Sequence, residues 1–317
     1  MRKITIGTRG SRLALAQTES VADSLRALYP DSEFEIIIIK TKGDKILDAP
    51  LSRIGDKGLF TREIEEEMLK GKIDMAVHSM KDMPTELPLG LRIGATTIRI
   101  NPSDVLISKN GIKISDLSSV NTIATSSLRR RAQLQAVSPG IGITDIRGNI
   151  NTRIRKMQEN PGIDGIILAH AGLARLDMTE MITEILDTDI FIPAVGQASL
   201  AVETRDDDPF IDSVLAPLHH AETGIEVSCE REFLSSLEGG CQVPIAGYAR
   251  IQDTRITLTG MVASLDGRTV FRDSISMAVG DHAGMGRELA GRLLGMGADR
   301  VLDEIYGRTD TNTEHRS

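Results

Sequence analysis

The 317-residue chain has no tryptophan, and its three tyrosines and six phenylalanines bring aromatic residues to only 3%. Stacking on nucleic-acid bases needs aromatic platforms, which this chain scarcely has. Its core must be aliphatic. Cysteine is scarcer still: Cys229 and Cys241 are the two present, too few and wrongly spaced for a zinc site, so no metal is expected. An excess of positive charge is also missing, since 45 acidic residues outnumber 37 basic ones for a formal net charge of −8. That balance disfavours DNA, RNA and anionic membrane surfaces as partners, but it permits a local basic patch that binds a small anion. No apolar run approaches the roughly 18 residues of a membrane span. The segment Met1-Arg2-Lys3-Ile4-Thr5-Ile6-Gly7 has no signal-like apolar stretch. A cytoplasmic protein is expected, a setting in which a disulfide is out of place.

What is present describes an ordinary globular protein, 40% hydrophobic and 26% charged, long enough for two or three domains. Residues 3–7 read as a strand, and Thr8-Arg9-Gly10-Ser11 leads from it into a helix with apolar positions Ala14, Val21, Leu25 and Leu28, ended by Pro30. Ser11 at the N-cap either receives an anion at the helix end or simply caps it. The run Ile36-Ile37-Ile38-Ile39 within residues 34–40 predicts a strand covered on both faces. A loop over residues 53–60 places Arg53 and Lys57 among glycines without the Walker spacing, and reads as a flexible lid. Residues 73–77 form another strand. Beyond its carboxyl end, where open α/β sheets bind ligands, lies His78-Ser79-Met80-Lys81-Asp82-Met83-Pro84. Ser79, Lys81 and Asp82 are placed there to meet a substrate, or Asp82 caps the turn into Pro84.

After Asn101-Pro102-Ser103-Asp104 the α/β pattern restarts, with strands at 105–108, 121–124, 143–146 and 165–169. Between residues 125 and 156 stand seven basic side chains, Arg129, Arg130, Arg131, Arg147, Arg153, Arg155 and Lys156, against one acidic, Asp145. Thr125-Ser126-Ser127-Leu128-Arg129-Arg130 opens a helix, so hydroxyls, amides and guanidinium forks can converge on an anion. Arg147-Gly148-Asn149 repeats the arrangement, with Arg153 about one turn into the next helix. One charge run is usually a solvated face; two, each at the head of a helix, favour a pocket for a multiply charged carboxylate or phosphate.

A strand at 200–203 can return to the first domain. A helix over 222–237 puts Ile225, Cys229, Phe233 and Leu237 on one stripe, making Cys229 a core residue. Strands at 245–251, 256–263 and 269–276 follow, the last two joined by a hairpin at Asp266-Gly267, and one helix over 283–305 closes the unit. The polar tail 307–317 is expected to be disordered. Between helix and sheet, Glu238-Gly239-Gly240-Cys241-Gln242-Val243-Pro244 presents a thiol on a glycine-rich loop. Cys241 can be a nucleophile, an attachment point or a small buried apolar residue, and nothing local decides among these.

Taken together, Gly7-Thr8-Arg9, the segment 77–84, Thr125-Ser126-Ser127-Leu128-Arg129-Arg130, Arg147-Gly148-Asn149, Pro193-Ala194-Val195-Gly196-Gln197 and Leu237-Glu238-Gly239-Gly240-Cys241 resemble, in this order, the porphobilinogen deaminase (hydroxymethylbilane synthase) family. The resemblance implies an enzyme that joins four porphobilinogen molecules head to tail, releasing ammonia, on a dipyrromethane cofactor tethered by a thioether to Cys241. It implies an α/β fold: two domains resembling type II periplasmic solute-binding proteins, plus a smaller α+β C-terminal domain with an antiparallel sheet. The implied domains are residues 1–98 with 194–216, residues 99–193, and residues 217–306. Asp82 matches the catalytic aspartate. Ser79, Lys81, Asp82, Thr125, Ser127, Arg129, Arg130, Arg147 and Gly148 match cofactor-binding positions; Arg9, Ser11, Arg153 and Gln197 match substrate-binding ones. Arg53 and Lys57 fall on the family's mobile loop. A monomer passing its product to uroporphyrinogen-III synthase is the implied setting. Three departures stand out: Arg53 where many members have lysine, Arg12 where proline is frequent, and Ala198 where glycine is frequent. The competing readings are a two-domain solute-binding module for an anion, and a thiol enzyme using Cys241 as a transient nucleophile, for which no histidine lies beside it in sequence.

Overall fold

The structure, a computed structural model, describes residues 3–45, 61–238 and 243–307. Its first sheet runs, edge to edge, β2 (Phe34–Ile38), β1 (Ile4–Thr8), β3 (Met75–Ser79), β10 (Leu200–Arg205) and β4 (Leu91–Thr96). The first three are parallel, and β10 runs antiparallel to both of its neighbours. Its second sheet is ordered β7 (Gly142–Thr144), β6 (Thr122–Ala124), β8 (Gly165–Ala169), β5 (Asp104–Ser108) and β9 (Glu184–Ile185). Again three strands are parallel and the fourth, β5, is antiparallel to its neighbours. The chain thus crosses between sheets twice, and each crossing delivers a strand to the same fourth place. A third sheet is an antiparallel meander of β11 (Ile245–Gln252), β12 (Arg255–Ala263) and β13 (Val270–Ala278).

Alternation along the strands sorts the cores. Ile4 and Ile6 of β1, with Met75 and Val77 of β3, bury against Val21, Ala22 and Leu25 of α1 (Arg12–Leu28). On the opposite face Ala76 meets Ile64 and Met68 of α2 (Arg62–Leu69). Each such Ile, Leu, Val or Met side chain contributes about 1.5–3 kcal/mol on burial, and Phe34 is the one aromatic buried among them. Both faces of the second sheet are covered likewise, one around Val105, Ile107 and Ile166, the other around Leu106, Ile123 and Phe191. Four segments depart from, or add to, the reading of the sequence. The isoleucine run is covered on both faces as expected, Ile36 on one and Ile37 on the other, but it is an edge strand and Ile38 stays 55% exposed. Leu28, in the last turn of α1 and expected on its apolar face, is 47% exposed. At 206–209 the structure adds a helix: Asp208 caps it, its side chain accepting from Ile211 N, and Pro209 occupies its first turn. The single C-terminal helix is two, Met285–Leu293 and Asp299–Tyr306, interrupted by a π-type stretch at Leu294–Ala298 in which Gly297 takes φ 107°, a value glycine alone adopts readily.

The helix Ala221–Ser236 lies between the first and third sheets and meets both crossings. Cys229 and Phe233 enter the core under the third sheet, as the stripe predicts, and burial pushes the Cys229 thiol up to about 11. Val227 packs with Met80, Met83 and Ala201 of the first sheet's region. Glu230, fully buried, takes Arg99 Nη1 at 2.7 Å from the first crossing, the Gly196 amide at 2.7 Å from the second, and the Ala249 amide at 2.8 Å from β11. Ala132, Ile192, Ala246, Met261 and Ala263 form a separate apolar seam between the second and third sheets.

Candidate active site

Functional side chains gather at the carboxyl ends of the parallel strands, where each strand turns into a helix or a tight bend. After β1, Arg9 is half-buried, and Ser11 caps α1 by accepting from Ala14 N at 3.2 Å. After β3, a 3-10 turn spans Met80–Asp82. Met80 and Met83 are buried at its two ends and Met83 N donates to Met80 O at 3.1 Å. The turn therefore pushes Lys81 and the exposed Asp82 outward, beyond the sheet. Ser79 accepts from Gln17 Nε2 at 2.8 Å, and Arg9, Ser11, Gln17, Thr61, Ser79 and Asp82 bound one cavity.

Across from it, Ser127 caps α3 (Leu128–Val137) by accepting from Arg130 N, and the buried Thr125 hydroxyl accepts from Ser127 N. Asn149 caps α4 (Ile150–Glu159), with Arg147 and Gly148 in the turn before it. Arg153 Nε donates to Gly148 O at 2.6 Å. Burial lowers the Arg153 pKa, Arg130 and Arg147 lower it further, and Asp82 opposes them. Charge on the first-sheet turn and charge on the second-sheet helices therefore act on one another. Lys81 shows the same from the other side: burial pulls its ammonium down to about 8, Arg130 and Arg129 lower it too, and Asp82 and Asp104 work against the fall.

Arg129 and Arg130, read from sequence as ligand forks, also hold a buried ion pair. Arg130 Nε and Nη2 lie 3.1 and 2.8 Å from Asp104 Oδ1, and Arg129 Nη1 lies 2.8 Å from Asp104 Oδ2. Burial pushes the Asp104 carboxyl up, but the two guanidiniums outweigh it and hold it well below the usual carboxylate range. Arg130 Nη1 donates to Ile167 O and Arg129 Nη1 to Ile192 O. Gln197 is almost fully buried, its Oε1 taking Lys81 Nζ at 3.3 Å and its Nε2 donating to Pro102 O and Asp104 Oδ1. It bridges the elements rather than standing open to solvent.

Of the seven basic residues in the charge run, Arg131 pairs with Asp145, Arg155 with Glu159, and Lys156 donates to Arg147 O. These three form a solvated face; Arg129, Arg130 and Arg153 belong to the cluster, and the charge of Arg147 acts on Arg153. Sequence reading passed over three residues. Asp104 looked like the end of a loop, Gln17 like an ordinary helix position, and Arg175 carried no motif. Arg175 Nη2 donates to Ala198 O at 2.8 Å, and burial pulls its guanidinium down to about 10. Cys241, Arg53 and Lys57 lie outside the described residues. Among the described residues no cluster of histidine, cysteine and carboxylates suits a metal ion, and no helix is long and apolar enough to cross a membrane.

Comparison with known proteins adds independent weight. Residues 4–213 match the profile of the porphobilinogen deaminase dipyromethane cofactor binding domain, and residues 224–295 that of the porphobilinogen deaminase C-terminal domain. The porphobilinogen deaminase of Carboxydothermus hydrogenoformans is 49% identical over 311 residues, 98% of this chain and 99% of that protein. That of Trichlorobacter lovleyi is 48% identical over 307 residues, 97% of this chain and 98% of that protein. Among solved structures, the periplasmic aliphatic sulphonate binding protein SsuA from Escherichia coli aligns at 16% identity and a TM-score of 0.38, covering 75% of this chain and 71% of that one. A score that low carries no argument, and the fold described above rests on its own strand order.

Proposed function

The chain belongs to the porphobilinogen deaminase family, and on that premise we propose how its cleft residues divide the chemistry. The protein is a transferase of tetrapyrrole biosynthesis: it condenses four porphobilinogen molecules head to tail into hydroxymethylbilane, with loss of ammonia at each step, on a dipyrromethane cofactor. The reading as a solute-binding module is not favoured by these relatives.

The residues present fit the cofactor. A dipyrromethane bears an acetate and a propionate on each ring, hence four carboxylates, and needs more cation than anion around it. Lys81, Arg129, Arg130, Arg147 and Arg153 supply that excess over Asp82 and Asp104; Arg153 in particular is pressed by two neighbouring arginines with one carboxylate to offset them. We assign cofactor contacts to Ser79, Lys81, Thr125, Ser127, Arg129, Arg130, Arg147 and Gly148, substrate contacts to Arg9, Ser11 and Arg153, and covalent attachment to Cys241; Gln197, buried with its amide spent on Lys81, Pro102 and Asp104, stands behind these contacts rather than touching substrate. When bound, the group supplies the nucleophilic pyrrole carbon from which the product grows.

Asp82 is assigned the catalytic role. Loss of ammonia from the aminomethyl group of porphobilinogen leaves a cation, and an aimed carboxylate stabilises it without reorganising at the moment of reaction. The same carboxylate can accept pyrrole N–H groups and so orient the reacting rings. Arg9 and Arg153 hold the substrate's carboxylates as charge-assisted forks. Because Met80 and Met83 anchor the turn on both sides, Asp82 keeps its place while its surroundings change charge.

The observation carrying this assignment is the confrontation of Asp82 with the Arg130, Arg147 and Arg153 cluster across two sheets. Single-turnover condensation by Asp82→Asn tests the role of Asp82, and intact-protein mass spectrometry tests the cofactor. Wild type is expected to carry the added mass of two pyrrole units, and Cys241→Ser to lack it. An unmodified, fully active wild-type protein would overturn the cofactor assignment. We further infer three structural units, residues 1–98 with 194–216, 99–193 and 217–306, supported by the membership of the three sheets. A cytoplasmic monomer that hands its product to uroporphyrinogen-III synthase completes the proposal.

A further inference from the structure

We propose that Asp104 is a positioning residue: it fixes which edges of Arg129 and Arg130 are presented to anionic ligands and, through Gln197, holds the Lys81 ammonium beside Asp82. This rests on the carboxylate-binding role given above to Arg129 and Arg130, and reaches one layer behind it.

Asp104 is the first residue of β5, where the chain has just completed its first crossing, and it is fully buried. Its Oδ1 takes three donors, Arg130 Nε at 3.1 Å, Arg130 Nη2 at 2.8 Å and Gln197 Nε2 at 3.0 Å, while Oδ2 faces Arg129 Nη1 at 2.8 Å. A guanidinium has five N–H donors in a rigid fork. With Nε and one N–H of Nη2 on Asp104, and one N–H of Nη1 on Ile167 O at 3.1 Å, two N–H groups of Arg130 are left for a ligand, and their direction follows from the bonds already made.

Charge leads to the same residue. Two adjacent buried guanidiniums repel, and a buried charge without a partner is strongly destabilising. One carboxylate shared between them keeps the wall assembled before any anion arrives and still leaves the pair with a net positive charge. The relay to Lys81 follows from the chemistry of an amide. Gln197 Nε2 donates to Pro102 O at 2.7 Å and to Asp104, so its Oε1 must be the acceptor that Lys81 Nζ meets at 3.3 Å. Gln197 lies on the second crossing and Asp104 at the end of the first, so one carboxylate fixes groups from both sheets.

The test uses full-length Asp104→Asn, which keeps the shape and removes the charge. Lys81 titration is read by pH-dependent amine labelling and peptide mass spectrometry; Asp82, Arg129 and Arg130 are the other charges acting on it. The midpoint, about 8 in the wild type, is expected to fall by about one unit. Gln197→Leu, which cuts the relay but keeps the carboxylate, is expected to shift it as well. Malonate is expected to raise the melting temperature of cofactor-free Asp104→Asn more than that of cofactor-free wild type, since the added anion replaces the missing one. An unchanged Lys81 midpoint in a folded Asp104→Asn protein overturns the proposal, and an unchanged midpoint in Gln197→Leu overturns the relay. Should Asp104→Asn fail to fold, Gln197→Leu and Asp104→Glu carry the test, the latter being expected to keep the midpoint near wild type. Normal cofactor loading in Arg129→Gln and Arg130→Gln would instead defeat the carboxylate-binding role, and it would leave the Lys81 shift standing.

Discussion

Glu230→Gln should cost far more than the loss of one charge suggests. The wild-type side chain is fully buried and accepts three hydrogen bonds with two oxygens: Arg99 Nη1 at 2.7 Å and Ala249 N at 2.8 Å on Oε1, and Gly196 N at 2.7 Å on Oε2; a second carboxylate, Glu226, lies 3.9 Å from Arg99 Nε. Glutamine has the same shape but one acceptor oxygen. If that oxygen takes the Oε1 position, the new amide faces the Gly196 N–H donor to donor; flipped, it faces Ala249 and Arg99. Either way a buried N–H is orphaned, costing about 1–3 kcal/mol. Arg99 also loses the nearer of its two counter-charges, keeping only Glu226 at 3.9 Å, and breaking a buried pair from one side costs up to about 3–5 kcal/mol. The two figures overlap, so the expected loss is about 3–5 kcal/mol in total. At roughly 2–4 °C per kcal/mol for a chain of this order of size, the melting temperature should drop by roughly 10 °C. Scanning calorimetry of holoenzyme measures it directly. Arg99→Met combined with Glu230→Leu, which removes both charges, should recover part of the loss. A single-variant loss below about 1 kcal/mol, the size of an ordinary surface effect, would refute the claim that this carboxylate ties both crossings to the third sheet.

Three further outcomes follow from the geometry. Ala198 sits at φ 78° where the family often has glycine; Ala198→Gly removes about 1–2 kcal/mol of left-handed strain against about 0.5–1 kcal/mol of lost chain restriction, so urea unfolding should show a gain of up to about 1 kcal/mol, and a clear loss would mean the strain is absent. Asp82→Asn should fold normally yet lose about 10²–10³ in single-turnover condensation; normal condensation would remove the cation-stabilising role. The depressed Lys81 ammonium, at about 8 against an ordinary 10.5, means that between these values the unfolded chain holds a proton the folded cofactor-free protein has released. Stability should therefore rise with pH across that window and Lys81→Met should flatten the rise, as read from denaturant midpoints at several pH values.

Much of this architecture is legible in local chemistry. Ser11, Ser127 and Asn149 are N-caps because each hydroxyl or amide is the first side chain able to satisfy an orphan helix N–H, and each marks a strand's end at the cleft. The hairpin at Asp266-Gly267 and the core position of Cys229 are equally local signals. What escapes is set by distance. Asp104 follows Asn101-Pro102-Ser103, a loop signature, and only the partner strand β8 and helix α3 make it buried. Gln197 lies 93 residues from Asp104, and no periodicity encodes that meeting. The C-terminal helix kept an apolar stripe through Leu293 and Val301, so its interruption at Gly297 hides in a pattern that continues on either side.

The exchanged strands bear on synthesis. The second sheet is encoded without interruption between Asp104 and Ile185, so it can close as soon as that stretch has left the ribosome. The first cannot, because among the described residues β4 pairs with β10 alone, and β3 keeps an open flank until Leu200–Arg205 emerges, more than a hundred residues later. Until then His78 lacks the Glu203 that it meets at 3.0 Å, and a hydrophobic strand edge waits unpaired. The nascent chain should finish its middle before its beginning, and its window of vulnerability to aggregation lies between those two events.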